Sequence, residues 1–311
     1  MLKSYKSFIF FFIIIIAVLL YFLKMYNQIL QKEHTDILVS KNIEIINNEI
    51  SYRKKHALSL AILFSKNETI INSLYYNNRE KTKKELLNLL NTISDYANLK
   101  NIQIQVHTKE LNVFVRSWED KDTGMNLKSF RKGLVKVKKT LQPYVSNELG
   151  KRFNIKAICP VFKDGKYIGS IEVITDYTLL KNRLKVLGID TMPVLNKKFL
   201  DIAKYHKHNK TLFNFVVIDN NYDNKFYDLL SHNKEIFDMK KTYYTLGEKI
   251  IVFIPLGYEN NRIISYLVSM FDTKKQNFNY LPNYEYPGQL PKLETELNTF
   301  QSSEKKEIII K

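Results

Sequence analysis

Residues 101–177 constrain the fold of this chain more than any other stretch, because their apolar side chains recur with a period of two between clear turn signals. Alternation of this kind is typical of half-buried strands. The alternating or apolar runs are residues 102–107, 111–118, 156–162 and 167–177. Asp164-Gly165 separates the last two runs and favours a tight hairpin, since glycine accepts a positive φ. Residues 127–141 show helical spacing instead, so the order predicts an antiparallel sheet with a helix across one face.

Two segments of this stretch resemble a known family. VFVRSWEDKDTGMNLKSFR and KAICPVFKDGKYIGSIEV are similar to the membrane-distal half of double Cache sensors, the PAS-like extracytoplasmic domains of bacterial chemoreceptors, sensor histidine kinases and diguanylate cyclases. The resemblance covers roughly residues 30–275 and is strongest over 102–177. It implies an α+β fold class with two PAS-like modules built on antiparallel sheets, and a sensor that binds a ligand.

Residues 8–23, FIFFFIIIIAVLLYFL, are uncharged and apolar and predict one transmembrane helix. A spanning helix needs about 20 apolar residues, and the Lys24 side chain can reach the headgroups. No small-x-small cleavage site follows Leu23, which favours an uncleaved anchor over a cleaved signal peptide or a buried core helix. Lys3 and Lys6 predict a cytoplasmic N-terminus, which would place the bulk of the chain on the periplasmic side of a bacterial inner membrane.

The rest of the chain divides by pattern into a stalk, two modules and a tail. The predicted divisions are a cytoplasmic tip and anchor at 1–25, stalk and lead-in helices at 26–100, a membrane-distal module at 101–190, a membrane-proximal module at 191–275 and a poorly ordered tail at 276–311. Residues 25–75 contain no glycine or proline and predict one long helix, along which a parallel homodimer is expected. Residues 81–98 predict a second, amphipathic helix.

The second module repeats the predicted order of helix and strands of the first module in shorter form. Residues 195–206 predict a helix, and Pro193 marks the start of the module. The predicted strands are residues 212–220, 248–256 and 263–272. The last two repeat the strand-turn-strand ending of the first module.

The net charge of +17, from 48 Lys+Arg against 31 Asp+Glu, suggests a nucleic-acid partner at first sight. The lysines are dispersed, however, and no nucleic-acid-binding motif accompanies them. Abundant Lys, Asn, Ile and Tyr together are typical of an AT-rich genome. We therefore expect no nucleic-acid partner and only weak attraction to anionic surfaces.

The sequence contains no arrangement typical of an enzyme or of a cofactor site. There is no Ser-His-Asp order, phosphate-binding loop, dinucleotide fingerprint or HExxH. His206 and His208 are more typical of a solvated pair than of a metal site, since spacing fixes no third ligand. Cys159 is the single cysteine and lies in an apolar run, which predicts a small buried side chain and no internal disulfide. We expect no catalytic activity, no cofactor and no metal.

The resemblance implies a ligand pocket between the sheet and the segments that cover it. Arg116 and Trp118 are two residues apart and share one face of a strand. Arg131 lies on the covering helix, Lys156 opens the next strand and Glu172 lies in the last strand. The prediction is that the three cations converge on a carboxylate or another anion, with Trp118 stacking on the ligand and Glu172 balancing one charge. The alternative has Arg116 exposed, Trp118 in the core and Glu172 paired with a basic neighbour.

Together with the apolar N-terminal run, the resemblance implies a single-pass, membrane-anchored sensor domain that binds a small, anionic ligand in signal transduction or chemotaxis. No second spanning stretch and no kinase, cyclase or methyl-accepting module follows. The expectation is therefore a receptor or kinase partner for the output, or a truncated receptor. A second hypothesis is a structural or interaction protein of the cell envelope that uses the fold without a ligand.

Overall fold

The computed structural model describes residues 2–97, 101–219 and 221–273. The helices are α1 Leu2–Phe64, α2 Glu68–Tyr75, α3 Arg79–Ala97, α4 Lys132–Thr140, α5 Thr178–Val186 and α6 Asn224–Ser231. The first sheet contains β1 Ile102–Thr108, β2 Val113–Arg116, β3 Tyr144–Glu148, β4 Asn154–Lys163 and β5 Lys166–Thr175. The second contains β6 Ile189–Asn196, β7 Thr211–Leu212, β8 Phe215–Val217, β9 Tyr243–Leu246, β10 Lys249–Glu259 and β11 Arg262–Asp272. The predicted tail at 276–311 lies outside the described residues.

Helix α1 joins the apolar N-terminal run to the predicted stalk without a break. Part of Phe10–Phe64 is long and apolar enough to cross a membrane, with a mean hydropathy of 2.1 and none of that window buried. Further along, Ile46, Ala57 and Ala61 are fully buried where the helix packs on β3, β4 and β5. One continuous helix therefore links the candidate membrane span to the first sheet.

The prediction of a single helix over 25–75 is wrong at its end. α1 ends at Phe64, and Asn67 starts α2 by accepting a hydrogen bond from the backbone N–H of Ile70 at 3.0 Å. An asparagine side chain at this place satisfies a helix N–H that has no other partner, which favours a new helix over continuation. Helix α3 confirms the predicted helix at 81–98 to within two residues.

The first sheet is antiparallel throughout, in the order β2-β1-β5-β4-β3. Its four predicted strands are confirmed, the helix predicted at 127–141 is the shorter α4 that begins at Lys132, and the short edge strand β3 was not predicted. The β4–β5 hairpin turns at Asp164 and Gly165, whose φ angles are 48° and 73°. Two successive positive φ angles match the right-handed twist of the flanking strands, which explains why this Asp-Gly pair specifies the register.

The second sheet has the order β7-β8-β6-β11-β10-β9. The predicted helix at 195–206 is wrong: β6 continues through Pro193 to Asn196, and two single 3₁₀ turns follow at Lys197–Phe199 and Lys204–His206. Strand β6 pairs with both β8 and β11, so tertiary pairing outweighs the local helical pattern. The predicted strand at 212–220 is a β7–β8 hairpin, while β10 and β11 confirm the last two predicted strands.

The two sheets contact each other through β3 and β10. The Asn147 side chain donates a hydrogen bond to the carbonyl oxygen of Leu256 at 2.6 Å and accepts one from the Tyr177 hydroxyl at 3.1 Å. Phe153 packs against Gly257, where an added Cβ would collide with its ring. The α+β architecture with two antiparallel sheets is therefore as predicted, and the domain boundaries stay a prediction.

Candidate functional site

One face of the first sheet carries polar side chains that are buried. The register places Gln105 opposite Arg116 on β2 and opposite Glu172 on β5. The adjacent row places Ile174 between Gln103 and Lys156. Glu172 is 0% exposed and Lys156 is 3% exposed. The alternating pattern predicted strands with one buried face, but both faces of this sheet are buried. One face is apolar and packs against the helices, and the other carries the polar side chains.

A partly open cavity of about 60 Å³ lies against this polar face. Four of the five predicted site residues line it: Arg116, Trp118, Arg131 and Lys156. The fifth, Glu172, is completely buried beside it and is bound to Arg131. The other residues that line the cavity are Gln103, Gln105, Glu119, Met125, Leu127, Phe130, Gly150, Lys151, Arg152, Asn154, Ile174 and Tyr205. The sequence thus predicted which side chains meet, and their binding role stays a prediction.

Arg116 is neutralised by two carboxylates from the loop after β2. Its Nη1 donates hydrogen bonds to Glu119 Oε1 and Asp122 Oδ2, each at 2.7 Å. Its Nε donates to Gln105 Oε1 at 3.0 Å, and its guanidinium lies 5.6 Å from the ring centroid of Trp118. Hydrogen bonds from Lys151 and then Arg116 hold the pKa of Asp122 below its usual value. The alternative of an exposed Arg116 is therefore excluded, because the side chain is 6% exposed and its Nη1 and Nε donate hydrogen bonds within the protein.

Arg131, at the start of α4, forms a second buried network. Its Nη1 donates to Glu172 Oε2 at 3.3 Å, its Nη2 contacts Glu172 Oε1, and its Nε donates to Glu148 Oε1 at 3.4 Å. The backbone N–H of Gly133 also donates to Glu148 Oε1 at 2.9 Å, and an added Cβ at this glycine would collide with the carboxylate. Burial alone would lower the pKa of Arg131, but Glu172 and Glu148 together raise it. This arginine is a fixed, charged support for the cavity wall.

His107 belongs to an oriented chain of hydrogen bonds beneath the cavity. Because Gln105 Oε1 accepts from Arg116, the Gln105 amide nitrogen is the donor to His107 Nε2 at 2.7 Å. That assignment leaves the imidazole proton on Nδ1, which donates to Ser170 Oγ at 3.2 Å. Burial, then Arg131 and Arg116, hold the pKa of His107 well below its usual value. The histidine is neutral and acts as a spacer between the two arginine networks.

Lys156 differs from the two arginines because, within the described residues, no carboxylate lies at ion-pair distance from its ammonium group. Its Nζ donates to the Arg152 carbonyl oxygen at 3.2 Å. Burial and then Arg131 lower its pKa to about 7, while Glu172 and Glu148 act in the opposite direction. An added Cβ at Gly150 would collide with Nζ, so glycine there leaves the ammonium group its space. Lys156 is thus a buried cation with unused hydrogen-bonding capacity.

Arg152 is a second cation of this kind, and the sequence did not indicate it. Its Nη1 donates to Gln103 Oε1 at 3.5 Å, and its guanidinium lies 4.6 Å from the ring centroid of Tyr205. No ion pair joins it to a carboxylate in the described parts of the chain. Since it lies in the β3–β4 loop, no periodic pattern could have placed it at the cavity. Gln103, Gln105 and His107 were also missed, although they are the polar members of an alternating strand.

A segment from the second sheet closes the cavity on one side. The backbone N–H of Tyr205 donates to the Lys151 carbonyl oxygen at 3.1 Å, and the Phe153 N–H donates to His206 Nε2 at 3.1 Å. Burial, then Arg152 and Lys156, lower the pKa of His206 to about 4. The prediction of a solvated histidine pair is therefore wrong for His206, which is buried and structural. Within the described residues, no group of three His, Cys, Asp or Glu side chains could hold a metal ion.

A second cavity of about 430 Å³ adjoins the first. The two share the lining residues Gln103, Arg152, Asn154, Ile174 and Tyr205. The remaining walls of the second cavity are Asn101, Asp176, Tyr177, His206, Asn209, Ile218 and Asp219. The smaller space is called the inner cavity below and the larger one the outer cavity. Together they form a path from the charged face of the first sheet to the second sheet.

Comparison with known proteins bears on this architecture. Residues 40–187 match the model of a family described as a double sensory domain of two-component sensor kinases. The match confirms the predicted resemblance to double Cache sensors, which are ligand-binding and non-catalytic modules. No curated protein matches the chain. An extracytoplasmic family and one N-terminal apolar helix fit a membrane-anchored periplasmic domain.

Several solved structures are similar to the chain at low sequence identity. The sensor domain of the V. cholerae histidine kinase DctB is 10% identical, with a TM-score of 0.44, over 75% of this chain and 95% of that one. The ligand-binding domain of the Campylobacter jejuni chemoreceptor Tlp3, in complex with 4-methylisoleucine, is 12% identical, with a TM-score of 0.43, over 79% and 92%. An extracellular ligand binding receptor from Desulfohalobium retbaense is 14% identical, with a TM-score of 0.42; the match covers 75% of this chain and 39% of that receptor.

Proposed function

We propose that this chain is a membrane-anchored, extracytoplasmic sensor that binds a small molecule with at least one anionic group at the inner cavity. The observation that supports the proposal is the convergence of Arg116, Trp118, Arg131 and Lys156 on one cavity. A polar cavity within a sensory fold is the default candidate for a ligand site. Because the three basic side chains are buried, their polar contacts are stronger than they would be in water.

The charges at the cavity assign different roles to its cations. Arg116 is balanced by Glu119 and Asp122, and Arg131 by Glu148 and Glu172. These arginines therefore support the wall, and the Nη1 and Nε of Arg116 already donate to groups of the protein.

Lys156 and Arg152 are the cavity cations that lack a carboxylate among the described residues, so they are the groups we assign to the ligand's anion. A charge-assisted hydrogen bond of this kind contributes roughly 1.5–3 kcal/mol. Trp118 lines the same space with one ring face toward Arg116, and it would contact the body of the ligand.

The proposed output passes through α1. The same helix contains the candidate membrane span and packs on β4 and β5, the strands that carry Lys156 and Glu172. Ligand-induced movement of these strands would therefore reach the membrane through one rigid element. A receptor or kinase partner, a homodimer along α1 and a periplasmic location are parts of this proposal. Ile29 and Ile37, which are 55% and 61% exposed, offer apolar contacts for such a dimer.

One observation favours the alternative of an envelope interaction protein. The two arginine networks are self-contained, and the inner cavity holds only about 60 Å³. A closed polar network can exist to specify a unique fold, without any ligand. The two functions differ in one measurable respect, since only a sensor gains stability from a small molecule.

The test is a thermal-unfolding screen of the full chain in lipid nanodiscs against organic acids, amines and purines. A ligand at a hundredfold excess over its Kd stabilises the folded state by about 2.7 kcal/mol. We expect at least one anionic compound to raise the melting temperature of the wild type clearly more than that of Lys156→Met. If no compound in the screen stabilises the wild type, the proposal is wrong and the interaction protein is the better account.

A further inference from the structure

We propose that the groove between α1, α4, β3 and β10 is a second ligand site, which takes a small aromatic carboxylate. Its volume is about 390 Å³, within the range of about 300–1,000 Å³ that is typical of small-molecule sites. It is called the lysine groove below, after Lys54, Lys132 and Lys136 in its walls. Of the described residues, only Phe130 lines both this groove and the inner cavity, so the site is additional to that of the proposed function.

The lysine groove is a built space between the two sheets. One wall is β3, the edge strand of the first sheet, and another is formed by residues 255–259 of β10. The Asn147 side chain donates to the Leu256 carbonyl oxygen at 2.6 Å. Lys132 binds Glu259 and donates to Asn260 Oδ1 at 3.0 Å. These contacts join β10 to β3 and to α4, so the groove has a defined shape without a ligand.

Strand β10 is irregular where it lines the groove. Its pairing with β11 shifts register between Pro255 and Gly257, and again between Gly257 and Tyr258. An extra residue in one strand bends it and re-aims its side chains, and such bulges are frequent beside functional sites. The local distortion therefore supports a role for this segment in binding as well as in strand pairing.

Two of the three lysines lack an acidic partner within the described residues. Lys54 belongs to α1, well beyond the predicted span at 8–23, and its ammonium group forms no hydrogen bond or ion pair in the described part of the chain. Burial lowers the pKa of Lys54. Lys136 lies over the ring of Tyr144, with its Nζ 4.2 Å from the ring centroid, and no described carboxylate is at ion-pair distance from it. A ligand carboxylate would supply the counter-charge that both lysines lack.

The groove also presents three aromatic side chains. Phe130, Tyr144 and Tyr258 line it from the segment before α4, from β3 and from β10. Aromatic side chains favour planar rings, which they contact offset-stacked or edge to face. Two cations without counter-charges beside three rings therefore match a ring that carries a carboxylate better than they match a plain anion or a hydrocarbon.

The position of the groove gives such a ligand a direct contact with α1. Lys54 is part of that helix and would bind the carboxylate. Glu148 also lines the groove, and it binds Arg131, which lines the inner cavity. The site would thus be a second input that adjoins the wall of the inner cavity and does not depend on Lys156.

The test is calorimetry on the full chain in nanodiscs of zwitterionic lipid, with benzoate and 2-naphthoate as the probes. Acetate, which has no ring, and benzylamine, which has the ring of benzoate and the opposite charge, are the matched controls. Nanodiscs without the protein correct for partition of the aromatic acids into lipid. We expect at least one of the two aromatic acids to bind tenfold or more tightly than acetate and benzylamine.

Variants then assign the site. Lys54→Met and Lys136→Met should each weaken binding of the aromatic acid about tenfold, as expected for the loss of one charge-assisted contact. Lys55→Met and Lys138→Met are the matched controls, because these lysines are exposed on the same two helices and do not line the groove. Both should bind as the wild type does. Methionine keeps most of the apolar stem, and the melting temperature checks that each variant is folded.

The proposal is overturned if neither aromatic acid binds, or if acetate or benzylamine binds as tightly. It is also overturned if Lys55→Met weakens binding as much as Lys54→Met does, because the effect would then be one of overall charge. Loss of binding in Lys156→Met with full binding in Lys54→Met and Lys136→Met would place the acid in the inner cavity and reject the groove. The proposed function is tested separately, through a Lys156-dependent anion, and holds or fails independently of the groove.

Discussion

The two sheets of this protein share a strand order but differ in what they bury. The order β2-β1-β5-β4-β3 of the first sheet corresponds to β8-β6-β11-β10-β9 of the second, which has β7 as an additional edge. The row across the first sheet reads Gln105, Glu172, Ile158, and a corresponding row across the second reads Met192, Val268, Phe253. One topology therefore encloses a charged network in one case and an apolar core in the other.

The apolar core of the second sheet is continuous. Its buried members are Met192, Val194, Leu212, Phe215, Val217, Phe226, Leu230, Ile236, Ile251, Val268 and Met270. Around them, Phe237 and Phe253 meet edge to face at 5.4 Å. Apolar burial stabilises a fold, whereas buried ion pairs contribute little net stability against apolar residues of equal size. The difference indicates that the second sheet supplies stability, and the proposed function assigns recognition to the interior of the first sheet.

The largest expected effect comes from breaking the charged network at its centre. Arg131→Met leaves Glu172 and Glu148 buried without their cation and should lower the free energy of unfolding by about 3–5 kcal/mol. Chemical unfolding of the full chain measures this loss. The triple variant Arg131→Met/Glu148→Gln/Glu172→Leu removes the orphaned charges as well and should recover most of the stability. A triple variant as unstable as the single one would show that the network is needed for folding.

The pH dependence of the first sheet should come from Lys156. Its folded-state pKa of about 7 lies below the model-compound value of 10.5, so the unfolded chain binds the proton more tightly over this window. Stability then rises with pH above 7, because the folded state no longer holds a buried charge. Between pH 7 and 9 the gain should be about 2 kcal/mol relative to Lys156→Met. Parallel unfolding curves for the two proteins across this range would contradict the burial of a titrating lysine.

The contact between the two sheets should respond to pH in the acid range. His206 has a folded-state pKa of about 4, below its usual 6.5, so protonation favours the unfolded chain. Stability should fall by about 1–2 kcal/mol from pH 7 to pH 5. His206→Gln keeps an acceptor for the Phe153 N–H and cannot be protonated in this range, so its stability should not show this fall. The unfolding free energies of both proteins at the two pH values provide the measurement.

The smallest expected effect is a conservative deletion in the second sheet. Ile251 is 0% exposed, and Ile251→Val should cost about 0.5–1.5 kcal/mol from a lost methylene. The variant should leave ligand affinity and both pH dependences unchanged, because Ile251 is not one of the described residues that line the inner cavity. An altered affinity would mean that packing of the second sheet tunes the site.

The elements that the sequence predicts correctly are those whose structure is determined by neighbouring residues in the chain. The Asp164-Gly165 turn and the flanking period of two fix the β4–β5 hairpin, and the period of two also places Arg116 beside Trp118. The helix predicted at 195–206 fails because pairing of β6 with two neighbours, which no local pattern reports, outweighs helical spacing.

Prediction of the site from the sequence is limited in the same way. Lys156 follows from its position on a strand, whereas Arg152 and Tyr205 reach the cavity from loops on two different sheets. Alternation also does not reveal that Gln105 and His107 are buried, since a polar residue on a strand is equally compatible with solvent. Burial of that face depends on the covering segments, which are distant in the sequence.

The central claim is that the charged face of the first sheet is a ligand site whose free cation is Lys156. Its most direct test is calorimetry with the compound that gives the largest thermal shift, on the wild type, Lys156→Met and Ile251→Val. Loss of one charge-assisted contact should weaken binding by Lys156→Met roughly tenfold to a hundredfold, while Ile251→Val binds as the wild type does. Equal affinity of the wild type and Lys156→Met would contradict the claim.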